Sequence, residues 1–170
     1  MRNLITRFSL WLSPLFILVG LTAPLAQADS FHSPILFRMA EAIKKNDPRV
    51  RTEALSCPTL LKTCDENFVR SQHPQWKGED NWGFFTTKLF EHLERSRFPN
   101  DFAQIMREKN LPESMIQMFS QTPNLEAAYF EGQVFSDDDA MDLNTPTWIN
   151  AFSVRDPSVN EVLYIVVGYQ

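Results

Sequence analysis

The residues with the most chemical potential lie between His73 and Trp82, a polar segment punctuated by Pro74 and Gly78 in which Trp76 and Trp82 flank Glu79 and Asp80. Rigid aromatic faces beside hydrogen-bonding side chains suit a sugar ring or the anchor of a protein interface, because they offer contact area at little rotamer cost. Trp76, Glu79, Asp80 and Trp82 are therefore the expected binding residues, with a protein or a carbohydrate as partner. The competing expectation is that a tryptophan folds back to close the core, and Trp82, beside Phe84 and Phe85, is placed to do so.

Acid–base chemistry would have to use His32, His73 or His92. His92 stands beside apolar residues in Leu89-Phe-Glu-His-Leu-Glu94 and reads as a boundary residue rather than a general base. The chain has no His-Glu-x-x-His for zinc, no Gly-x-Ser-x-Gly elbow, and too few glycines for a phosphate cradle. A carboxylate pair for glycoside cleavage would draw on Glu79, Asp80 and Asp101, whose separation spacing does not give. A triad of distant residues is a spatial arrangement and equally invisible to spacing. The acidic run Asp137-Asp138-Asp139, with Asp142 nearby, offers oxygens to calcium. Counted from Asp137, however, it has Asp142 where an EF-hand loop needs Gly and Trp148 where it needs Glu, so a solvated connection is expected. No catalytic residue, metal or cofactor is assigned from the sequence.

Cys57 and Cys64 are the two cysteines of the chain. Seven residues of continuous helix rise about 10 Å, more than the roughly 7 Å that a disulfide spans between Cα atoms. A bridge therefore requires Cys57 to lie outside a helix, and Pro58 disfavours helical backbone at that position. Such a bridge belongs to an oxidising compartment, and the N-terminus points the same way. Arg2 and Arg7 precede an apolar run from Phe8 to Ala26, and Ala26-Gln27-Ala28 has the small-x-small pattern of a signal-peptidase site. Residues 1–28 are read as a signal peptide and 29–170 as one exported domain, periplasmic or secreted. Pro14, Gly20 and Pro24 interrupt the apolar run, which argues against a retained anchor and against stable membrane insertion after cleavage. Loss of the two leader arginines takes the formal charge from −5 to −7. With no cluster of Lys or Arg, this acidic balance excludes a nucleic-acid footprint.

Five helical segments are read ahead of the strands. Ser33-Pro34 starts one that Asn46-Asp47-Pro48 stops, and a second runs from about Pro58 to Arg70. A third is expected over Gly83 to Arg97, where Phe85, Leu89 and Leu93 recur every fourth residue. Asn100 or Asp101 caps a fourth, and Asn110 to Glu113 opens a fifth that Thr122-Pro123 closes. Leu125–Phe135 fits a strand or a helix, whereas Thr147–Val154 and Val162–Tyr169 read as strands joined by a turn at Asp156-Pro157-Ser158. The expected fold class is α+β, an N-terminal helical layer of about four to five helices followed by a small C-terminal antiparallel β-meander. The expected function is an exported non-catalytic binding or accessory protein of inhibitor, immunity or adaptor type. The alternatives are a small secreted hydrolase acting on cell-wall or host polymers, and a small-molecule-sensing domain with a preformed apolar cavity.

Overall fold

The computed structural model describes residues 31–72, 85–136 and 147–169. In chain order the elements are α1 (Pro34–Asn46), β1 (Arg51–Ser56), α2 (Leu61–Ser71), β2 (Phe85–Glu94), α3 (Pro99–Glu108), α4 (Glu113–Ser120), β3 (Glu126–Ser136), β4 (Thr147–Asp156) and β5 (Glu161–Tyr169). The strands form one antiparallel sheet in the order β1-β5-β4-β3-β2. Helices and strands alternate along the chain, which overturns the expectation of a helical layer followed by a meander. Two of the strands, β1 and β2, lie ahead of Pro123, where the sequence reads as helices joined by loops.

The larger departure is β2, expected as a helix. Its pairing with β3 shifts between Leu89 and Glu91, leaving Phe90 as an extra, unpaired residue. This bulge carries Leu89 and His92 onto the α2 side of the sheet and sends Leu93 to the opposite side. Leu89 and Leu93, whose spacing imitates one helical stripe, thus pack in different layers. The other missed strand, β1, is six residues of mostly polar or half-exposed character at the sheet edge, without apolar alternation to mark it.

Both faces of the central strands are covered. Leu36, Met39 and Ile43 of α1, Phe102 and Met106 of α3, and Met115, Ile116 and Phe119 of α4 pack on Tyr129, Phe152, Val154, Leu163 and Ile165. On the other face, Leu61, Phe68 and Val69 of α2 pack on Phe130, Ile149, Ala151, Val162 and Tyr164, with the Phe68 and Tyr164 rings stacked 3.9 Å apart. Alternate residues of β5 therefore enter different cores, which explains why that strand is apolar on both sides. α1 is fixed at its start as the sequence predicts. Ser33 caps it by accepting from the Leu36 amide, and the Ser33 hydroxyl donates to Asp156 at 2.7 Å. The Ser33 amide in turn donates to Glu161 at 2.8 Å, docking the helix onto the β4–β5 hairpin.

α2 begins at Leu61, later than the expected start near Pro58. The cause is the bridge: Cys57 lies outside the helix and Cys64 within it, with sulfurs at bonding distance (2.15 Å) and Cα atoms 6.0 Å apart. Among the described residues, no helix is long and apolar enough to cross a membrane.

Candidate functional site

The first turn of α2, the turn leaving β2 and the segment leading into β3 converge on an open cleft of about 630 Å³. Its apolar lining comes from Leu60, Leu61, Pro99, Pro123, Leu125 and Ala127, and its polar lining from Lys62, Glu94, Arg95, Ser96, Asn124 and Glu126. Leu60 is 77% exposed at the rim, an unusual setting for a large apolar side chain. The covalent loop closed by Cys57 and Cys64 holds it there.

Arg155 secures the adjoining chain segments. Its Nε donates to the Cys57 carbonyl at 2.9 Å, Nη1 to Glu126 at 2.8 Å and Nη2 to the Asn160 side chain at 2.8 Å. Asn160 takes part from a left-handed backbone (φ 53°), a conformation that Asn tolerates better than most residues. One nearly buried guanidinium thus joins the β1–α2 connection, the start of β3 and the β4–β5 turn. On the other side of the cleft, Arg95 donates through Nη1 to the carbonyls of Thr122 and Leu125 at 3.4 and 3.3 Å. Its guanidinium carbon lies 4.2 Å from the centre of the Phe119 ring, and burial lowers the group's pKa.

A second polar constellation lies between α2 and the sheet. Asp65 is fully buried; one of its oxygens is 2.9 Å from His92 Nε2 and accepts from the Ser153 hydroxyl at 3.0 Å. The sheet register supplies these neighbours, because Glu94, Ala128, Ser153 and Tyr164 form one cross-strand row and His92 stands beside it. Burial raises the Asp65 pKa against the opposing effects of the His92 and Ser153 hydrogen bonds. The Tyr164 hydroxyl lies near enough to weigh on that carboxyl, and burial followed by the Asp65 charge raises its own pKa. Neither this hydroxyl nor Asp65 Oδ1 makes a hydrogen bond of acceptable geometry among the described residues. His92 Nδ1 lies 3.8 Å from Glu94, a residue that lines the cleft, so the buried cluster abuts the cleft wall.

Ser153 donates to Asp65 rather than to the imidazole, so the three side chains lack the nucleophile-to-base contact that a Ser-His-Asp triad needs. Asp101 is exposed in the first turn of α3 and does not join His92. Trp76, Glu79, Asp80 and Trp82, the acidic residues Asp137–Asp139 and Asp142, and the leader 1–28 all lie outside the described residues. Among those described, no three His, Cys, Asp or Glu side chains form a group able to hold a metal ion. Of the residues singled out from the sequence, Cys57 and Cys64 are brought together as expected. His92 stands half-buried on a strand, its ring turned toward Asp65, instead of bordering a helix. Asp65 and Arg95 carried no signal of their own, since their partners are 24 or more residues away. Comparison with family models, with curated proteins and with solved structures finds no match to this chain.

Proposed function

We propose that the chain is an exported, non-catalytic binding protein and that the cleft between α2 and the β2–α3 turn holds its ligand. The observation that carries this reading is the cleft itself. Its volume of about 630 Å³ lies within the roughly 300–1,000 Å³ of small-molecule sites, and its mixed lining has the usual apolar body with a few polar groups. The Cys57–Cys64 bridge is compatible with an oxidising compartment and closes the loop that contributes Leu60, Leu61 and Lys62 to the cleft. The hydrolase alternative draws on Asp65 and His92, but the His92 side chain is only 8% exposed and Ser153 is engaged with Asp65. That arrangement favours a structural role for the pair.

The test compares the oxidised protein with Leu60→Ser, a change at an exposed rim position that removes apolar contact while leaving both cores intact. Each is equilibrated with the small-molecule fraction of a bacterial extract and weighed by native mass spectrometry. The wild type is expected to retain bound species that the variant loses. Equal retention by both proteins, or by neither, would overturn the assignment of the cleft.

A further inference from the structure

We infer that the ligand of the cleft is a small amphiphile ending in a carboxylate, received by Arg95 with help from Lys62; this rests on the cleft reading above. The inference comes from how the charges lining the cleft are matched. Both acids are already engaged: Glu126 pairs with Arg155 at 2.8 Å, and Glu94 lies 3.8 Å from Arg97 and accepts from Ser96 at 3.3 Å. The two cations have no such match. Neither Arg95 nor Lys62 has a carboxylate within ion-pair distance among the described residues.

Arg95 is also incompletely used as a donor. Among the described residues its side-chain hydrogen bonds leave from Nη1, and the Nε–H and Nη2–H edge meets no acceptor there. That edge is the planar fork that meets a carboxylate through two parallel hydrogen bonds. The Phe119 ring and the carbonyls of Thr122 and Leu125 hold the guanidinium in place, so little freedom is lost when an anion arrives. The apolar lining fits the hydrocarbon part of the ligand. A monoanion is favoured over a phosphate dianion because Glu94 and Glu126, though paired, face the same space.

The experiment is calorimetric titration of the oxidised protein, at low ionic strength, with decanoate, decanol and decyl phosphate. Decanoate is expected to bind about tenfold or more tightly than decanol, as loss of a charge-assisted bidentate contact implies. Arg95→Gln should abolish that preference, weakening decanoate binding about tenfold. Lys62→Gln, an exposed substitution that does not touch the core, should reduce the preference and guards against a folding defect in the first variant. Decanol binding as tightly as decanoate, or decyl phosphate binding more tightly, would overturn the carboxylate assignment while leaving the cleft as a binding site. Failure of all three to bind at about 1 mM, a weak affinity even for small ligands, would overturn both readings.

Discussion

Asp65 is sealed from solvent, and this makes it the position where a single substitution is most informative. Asp65→Ala would take the shared acceptor from the His92 ring and leave the Ser153 hydroxyl only its 3.4 Å contact with the Ala128 carbonyl, a loss of about 2–4 kcal/mol by the usual cost of under-satisfied buried groups. Asp65→Asn keeps an acceptor of the same shape and is expected to cost about 1 kcal/mol or less. The two variants also separate in their pH dependence. Because the folded state raises the Asp65 pKa, the native chain keeps this proton to a higher pH than the unfolded chain does. Its contribution to stability is therefore greatest below the ordinary carboxylate range and declines as pH rises through the folded value. Urea denaturation across that interval should show this decline in the wild type and a flatter profile in Asp65→Asn. None of it was legible in the sequence, where Asp65 reads as one more charged residue of an amphipathic helix. Its burial depends on β2 and β4 arriving over it, and short-range spacing contains no record of that.

Between elements, the tightest constraint is where α2 crosses β3. A Cβ added at Gly132 would stand 2.5 Å from a methyl of Val69, whose branched side chain has little freedom to turn away. Gly132→Ala is expected to destabilise by about 1–3 kcal/mol through overpacking, and Val69→Ala in the same chain should recover part of that loss. Thermal unfolding of the two single variants and the double variant checks the coupling. Most elements were readable in advance: α1 from its Ser33-Pro34 start, α3 and α4 from their capping and closing residues, and β4 and β5 from the strand-like runs on either side of the Asp156-Pro157-Ser158 turn. Those are segments whose periodicity reports one unbroken geometry. β2 imitates a helix because the spacing of Leu89 and Leu93 fits a helical stripe, whereas the bulge at Phe90 sends them to different layers, and β1 leaves no pattern because a short polar edge strand buries too little.

At the scale of the whole molecule, the sheet is enclosed between α1, α3 and α4 on one side and, among the described residues, α2 on the other. The α2 layer is the thinner one, and it carries the covalent loop. Replacing Cys57 and Cys64 by Ser should lower stability by about 2 kcal/mol, the range for closing a short loop. It should also weaken whatever the cleft holds, because Leu60 to Lys62 lie inside that loop. Paired unfolding and binding measurements on the double variant test both effects. The bulge in β2 has a different consequence. Removing a residue from the middle of a strand normally turns everything beyond it inside out. At Phe90 the reverse holds: without it, Leu89 and Glu91 would face Gly132 and Glu131 as consecutive partners, and His92 would still reach Asp65. Loss of that one residue would therefore leave the β2–β3 ladder more regular than before, with its stacking on Trp148 as the contact forfeited.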